Sequence, residues 1–363
     1  MVMADRPGVA RAAWPIAATD AGGMAGAMAM SLLRVPLRHP LASRGRRLES
    51  VAVAVTRETM RQFIGYTVSL PIDEFRSVEL AIDRLCEVAL TPAAAALGVS
   101  TEVGEVGGVP GVWYRRRDRT ARGSVLYLHG GGYVGGSPRM YGVFAAELRR
   151  STGCDIFVAD YRLAPEFPFP AGRDDALAVL SAMLEARPEG HRVLVAGDSG
   201  GGGLVTSVVF EAMVQRIGPL DGTLLLSPEV DLELDDPSLS ENAARDILPW
   251  NIPTAAYLHG RDPASPEVSA LHQDLSGWPP TFVAFGGDEM LRDSIRRFTA
   301  RLEEAGVPTE SHEEPGMFHV FPILMPWAAA SRRVHTRAAA FVDARFAPPP
   351  GRPGAPSDGP TGP

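Results

Sequence analysis

Ser199 stands in the window Gly197-Asp198-Ser199-Gly200-Gly201, directly after the apolar run 192–196 and at the head of four consecutive glycines, Gly200 to Gly203. Each glycine in the first turn of a helix weakens it by up to about 1 kcal/mol relative to alanine. A feature this unfavourable needs a reason. A serine set in G-x-S-x-G at a sharp strand-to-helix turn is strained and exposed over the sheet edge, and glycines make room for the turn to close. Gly197 and Gly201 fit that role, and the window is the only such match in the chain. The competing reading is a phosphate-cradling loop at a helix N-terminus. It lacks a Walker lysine and lacks a G-x-G-x-x-G with its acidic partner, so a nucleophilic serine is the stronger reading.

A serine hydroxyl attacks only when a base takes its proton. In sheets of this kind the acid and then the histidine follow the serine along the chain. The strand-like segment 281–285 runs into Gly286-Gly287-Asp288, which makes Asp288 the candidate acid. Its neighbour Glu289 is assigned to the first turn of the next helix, where a carboxylate favours the dipole. Of eight histidines only His312, His319 and His335 lie beyond Asp288. His335 falls inside a helical pattern and His312 inside a strand-like one. His319 follows the Pro315-Gly316 turn, in a loop where catalytic residues are commonly carried. Ser199, Asp288 and His319 are therefore the expected triad. The strand-like run 124–128 leads straight into His129-Gly130-Gly131-Gly132. Such a loop supplies oxyanion donors together with the amide after the nucleophile, here Gly200.

The elements that must position these residues alternate. Nearly continuous apolar runs at 124–128, 154–159, 192–196, 223–227 and 281–285 read as parallel strands covered on both faces. Helical patterns separate them, which predicts an α/β sheet with ligands at the carboxyl ends of its strands. Residues 45–100 read as helical, with Phe75, Val78, Ile82 and Leu85 on one face behind a helix-starting Pro71. The stretch 231–280 breaks the rhythm and reads as an insertion. The expected organisation is a poorly ordered segment over 1–44, helices over 45–100, an α/β domain over 101–346 and a tail over 347–363. That tail holds seven prolines and four glycines in seventeen residues and is expected to be disordered.

Composition removes other classes. The chain has 363 residues, 45% of them hydrophobic, enough for a large core. A net charge of −8 gives no support to nucleic-acid binding. The basic cluster Arg115 to Arg119 reads as a solvated loop between strands. Two cysteines, Cys86 and Cys154, build neither a disulfide framework nor a cysteine zinc site and fit a reducing, cytoplasmic setting. No apolar run is long enough to span a membrane. The small-residue stretch 21–33 is not read as a signal peptide, because Asp5 and Asp20 dilute its basic flank. No metal or organic cofactor is called for, and homo-oligomerisation is left open.

Taken together, "YLHGGGYVGGS" (127–137), "VADYRLAPEFPFPAGRDD" (158–175) and "VAGDSGGGG" (195–203) resemble the hormone-sensitive-lipase-like branch of the α/β-hydrolases, the bacterial esterases related to arylacetamide deacetylase. "GGDEMLRDS" and "EEPGMFHVF" match as well, so the resemblance spans roughly 112–346. It implies an α/β-hydrolase fold, a mostly parallel sheet with helices on both faces and a helical cap from residues 45–100. It also implies a serine carboxylesterase acting on uncharged short-acyl esters. By that resemblance Ser199 is the nucleophile, Asp288 the acid and His319 the base, while Gly131, Gly132 and Gly200 donate to the oxyanion and His129 is structural. The chain departs from the pattern at Gly200, where the branch usually has alanine. Amide hydrolysis or deacetylation on the same triad is the alternative chemistry. A ligand-binding protein on the same scaffold is the alternative of another class.

Overall fold

A computed structural model describes residues 47–116, 120–249 and 251–346, with isolated positions between 22 and 35. The expected tail over 347–363, most of the segment 1–44 and Arg117 to Arg119 lie outside the described residues.

Two long helices come first, α1 (Arg47–Thr67) and α2 (Ile72–Ala96), the second starting directly after Pro71. Eight strands follow: β1 (Ser100–Val106), β2 (Val109–Arg115), β3 (Gly123–Leu128), β4 (Asp155–Ala159), β5 (Arg192–Asp198), β6 (Gly222–Leu226), β7 (Thr281–Gly286) and β8 (Thr309–Glu314). They form one sheet in the order β1-β2-β4-β3-β5-β6-β7-β8. β1 and β2 run antiparallel at one edge, and every pairing from β4 through β8 is parallel.

The apolar runs of the central strands divide between two cores. Leu126, Phe157, Val195, Leu225 and Val283 face one side, where α4 (Ala171–Ala186), α5 (Ser199–Gln215) and α6 (Arg292–Glu304) pack. Their neighbours Val125, Ile156, Leu194, Leu224 and Phe282 face the other, against α3 (Gly142–Thr152) and α7 (Ala329–Phe346). Successive strand residues point to opposite faces, so a strand covered twice must be apolar throughout. This is the mostly parallel α/β sheet that the sequence predicts. Within the segment 231–280, Val268, Ala270, Leu275 and Trp278 are buried in the first core. Along α2, Phe75, Val78 and Ile82 line an internal cavity, whereas Leu85, assigned to the same face, is 66% exposed.

Candidate active site

α5 begins at Ser199 itself, so the serine occupies the turn between β5 and its helix. Its φ of 52° is left-handed for a residue with a side chain, a strain of about 1–3 kcal/mol that the surroundings must hold. Packing of the helix start explains two of the glycines. A Cβ on Gly201 would lie 2.2 Å from the Leu128 carbonyl, and one on Gly203 would lie 2.3 Å from the Glu229 carbonyl. The N-terminus of α5 therefore rests on the backbone of two neighbouring strand ends, closer than any larger residue allows.

His319 lies in the loop after β8, with Nε2 2.8 Å from Ser199 Oγ. Its Nδ1 faces a carboxylate at 3.3 Å, and that carboxylate is Glu289. The expected acid, Asp288, is not at the histidine. Asp288 is 20% exposed and its Oδ2 takes a hydrogen bond from Arg57 of α1 at 3.1 Å, while the same guanidinium donates to the Gly316 carbonyl at 2.6 Å. Glu289 turns inward and is fully buried. Its Oε1 accepts from Ser227 Oγ at 2.6 Å and from the Gly286 amide at 2.5 Å, and its carbonyl accepts from Asn242 Nδ2 at 2.8 Å. The assignment of Glu289 to a first helical turn fails because α6 begins only at Arg292.

Asp246 is a further residue that sequence reasoning missed. Its two oxygens accept from the His319 amide at 2.9 Å and the Met290 amide at 2.7 Å, binding the histidine loop to the acid loop. No local pattern marks it, because it lies in the stretch where the strand–helix rhythm is lost. Burial lowers the His319 pKa, but the Glu289 hydrogen bond and charge, followed by Asp246 and Asp198, more than offset this and leave it above 6.5. Burial pushes Glu289 above the usual carboxylate range, with the His319 charge pulling the other way.

The glycine loop is fastened to the Ser199 turn by Asp198. One oxygen accepts from Tyr127 Oη at 2.8 Å and the Gly130 amide at 3.0 Å, and the other from Tyr141 Oη at 2.9 Å. Burial raises this carboxyl to about 6 despite those three donors. Gly131 and Gly132 both have positive φ, at 128° and 59°. Gly200 packs against this loop so tightly that a Cβ would come within 3.1 Å of the Tyr133 nitrogen and 3.2 Å of the Gly132 nitrogen. His129 is buried with Nδ1 3.0 Å from the Gly130 carbonyl, and its ring stacks on Tyr161 at 4.5 Å. Of the other late histidines, His312 pairs with Glu314 at 2.9 Å within β8. His335 packs on Phe144, and burial lowers its pKa to about 4.

Ser199, His319 and Gly130 to Gly132 open into one cavity of about 310 Å³. Its walls are apolar: Phe63 and Ile64 from α1, Phe75, Val78 and Ile82 from α2, and Leu248 and Ile252 from the segment 231–280. Among the described residues, Asp231, Glu233 and His272 bring potential metal-ligand atoms within 4.8 Å of one another. Asp231 is already engaged by Arg297 at 2.6 Å and His272 by Glu233 at 2.7 Å, so ion pairing accounts for the grouping.

The family model described as alpha/beta hydrolase fold matches residues 125–323. This chain is an α/β-hydrolase. The hydrolase belongs to the hormone-sensitive-lipase-like branch. A hormone-sensitive lipase from a metagenome library superposes with a TM-score of 0.69 at 32% identity, covering 79% of this chain and 99% of that one. An esterase of the bacterial hormone-sensitive lipase family gives a TM-score of 0.67 at 28% identity over 89% of this chain and 99% of its own. Among curated proteins, an acetyl-hydrolase of Streptomyces hygroscopicus is 34% identical over 294 residues, which is 78% of this chain and 95% of that relative. A carboxylesterase of Mycobacterium tuberculosis is 34% identical over 222 residues, 56% of this chain and 69% of its own length. With such relatives the α/β-hydrolase is a carboxylic ester hydrolase. Among the described residues, no helix is long and apolar enough to cross a membrane.

Proposed function

We propose that this carboxylesterase works through acylation of Ser199, with His319 as general base and Glu289 as the acid that orients it. The observation that carries the proposal is the continuous chain Ser199 Oγ–His319 Nε2 (2.8 Å) and His319 Nδ1–Glu289 Oε2 (3.3 Å) at one end of an apolar cavity. His319 takes the serine proton as Oγ attacks the ester carbonyl carbon. The resulting imidazolium is stabilised by the Glu289 carboxylate. Negative charge on the carbonyl oxygen is met by the amides of Gly131, Gly132 and Gly200, and His319 then gives its proton to the departing alcohol. Water repeats the sequence on the acyl-enzyme and frees Ser199.

The substrates in this reading are uncharged short-acyl esters. A cavity of about 310 Å³ walled by Phe63, Phe75 and Ile252 suits an acyl chain of a few carbons. Helices over 45–100 act as the cap, and the segment 231–280 completes it. Amide substrates remain the second chemistry that the same groups can perform. A fluorophosphonate probe tests the mechanism: it is expected to label the native chain and not Ser199→Ala, and labelling of both would overturn it. A series of nitrophenyl esters tests the substrate reading, with butyrate expected to be hydrolysed faster than palmitate at matched solubility.

A further inference from the structure

Three carboxyl groups line the substrate cavity: Glu79, Asp198 and Glu229. No arginine is among the described residues that line it. Two of the three are compensated. Glu79 accepts from the Gly136 amide at 2.6 Å and pairs with Arg76 at 2.5 Å, and Asp198 holds its three donors. Glu229 differs. It is 2% exposed, and among the described residues no arginine or lysine pairs with its carboxyl group. The polar neighbour beside it is the Tyr133 hydroxyl, which is neutral.

An ionised carboxylate buried without a counter-charge costs several kcal/mol. It also sits next to the serine, since the Glu229 amide donates to the Ser199 carbonyl at 3.0 Å. There its field opposes the oxyanion that must form during ester cleavage, and low-dielectric walls keep that field strong. Among the described residues, Tyr133 is neutral and His319 carries charge only while it holds a proton, so no permanent cation neutralises it. We infer that the missing counter-charge comes from the substrate: Glu229 selects esters that carry a quaternary or protonated ammonium group. This extends the substrate class beyond uncharged esters and rests on the esterase reading above. Because its oxygens lie behind the cavity surface, Glu229 acts through charge, and a trimethylammonium group, which cannot donate a hydrogen bond, is the suitable probe.

Burial raises the Glu229 carboxyl to about 7, with His319 and Tyr133 pulling the other way. The titratable groups facing it are Tyr133, His319 and Tyr257. The test is therefore run at about pH 8.5, where a carboxyl titrating near 7 is ionised. Two matched pairs are compared. One is choline butyrate against the ester in which tert-butyl replaces trimethylammonium. The other is the nitrophenyl ester of trimethylammoniobutyrate against its tert-butyl isostere. For at least one pair, Glu229→Gln is expected to lower the charged-to-isostere ratio of kcat/KM by about tenfold or more, as for the loss of one partially buried charge contact. The pair that responds tells whether the acyl or the alcohol side meets Glu229. Glu229→Asp keeps the charge and must keep the native ratio, which protects the test should the glutamine variant fold poorly. A ratio unchanged in both pairs for Glu229→Gln, or lost equally in Glu229→Asp, overturns the inference while leaving the esterase reading intact. A native chain that hydrolyses none of the four esters removes that reading, and the inference with it.

Discussion

The Ser199 turn and the loop of Asp288 and Glu289 sit at the ends of strands two apart in the same sheet, yet they are constrained in different ways. At the turn, backbone meets backbone: Gly201 and Gly203 are forced by carbonyls 2.2 and 2.3 Å from where a Cβ would be. Such a constraint writes itself into the sequence, because only glycine satisfies it. At the acid loop, the choice between two adjacent carboxylates is made by side chains from elsewhere. Arg57 of α1 draws Asp288 outward, while Ser227 and Asn242 hold Glu289 inward. Adjacent residues in a loop can face opposite ways, and which one faces the histidine is a tertiary decision.

The largest effect tests the histidine that both regions share. His319→Ala is expected to lose about 10⁴-fold in kcat, in line with deletions of a triad member. His312→Ala, which removes only a pair with Glu314, is expected to stay within about tenfold. If His312→Ala is the inactive variant, the base is misassigned. Next, the contrast at the acid loop is broken directly by comparing Glu289→Gln with Asp288→Asn. The former should lose about 10³–10⁴-fold in kcat and the latter less than about tenfold; the reverse order would restore Asp288 as the acid.

A pH profile sharpens the same pair. In the proposed mechanism His319 must be neutral to act as base, and its pKa is held above 6.5 chiefly by Glu289. Activity of the native chain should therefore rise with pH through a limb above 6.5. Removing the Glu289 charge takes away the raising influence, so the limb in Glu289→Gln should move to lower pH as the maximum falls. A limb that stays in place would mean that Glu289 does not set the histidine's proton affinity. Asp198→Asn comes third, with an expected loss of about 10²-fold in kcat, comparable to displacing one oxyanion donor. An asparagine amide cannot accept at both positions from Tyr127, Tyr141 and the Gly130 amide, so the glycine loop loses part of its anchor. Undiminished turnover in this variant would show that the loop holds its shape without the carboxylate. The smallest effect belongs to Gly200→Ala. Its Cβ would sit 3.1 Å from the Tyr133 nitrogen, so the loop must yield by a few tenths of an ångström. Kinetics should change by less than about tenfold, and a larger loss would mean that the loop is too rigid to yield.

Much of this was legible in the chain. The five apolar runs became β3 to β7 because two-sided burial demands apolar residues at both parities, a requirement visible without any contact map. Ser199 and His319 were legible because each follows a strand end marked by glycine or proline. Other residues left no such trace. Asp246 joins two loops through backbone amides 44 and 73 residues away, and any sequence pattern around it is silent on that. Glu229 follows β6 by three residues, and nothing in its neighbours announces that no arginine or lysine among the described residues meets it. Leu85 keeps the helical spacing of Phe75, Val78 and Ile82, but spacing alone cannot say where the cavity ends.

Arg57 has a consequence for how this molecule can be taken apart. One guanidinium on the first long helix holds Asp288 in the acid loop and Gly316 three residues before His319. The amino-terminal helices are thus no interchangeable lid laid over a finished enzyme. A chimera that exchanged residues 47–96 for the corresponding helices of another hydrolase would keep its sheet, yet Asp288 and the Gly316 turn would keep their present anchor only if the donor brought an arginine to the same spot. Diversification of substrate range by swapping this segment is therefore restricted to donors that preserve the inward cations of the first helix, Arg57 and also Arg61, which donates to the carbonyls of Ala243 and Asp246.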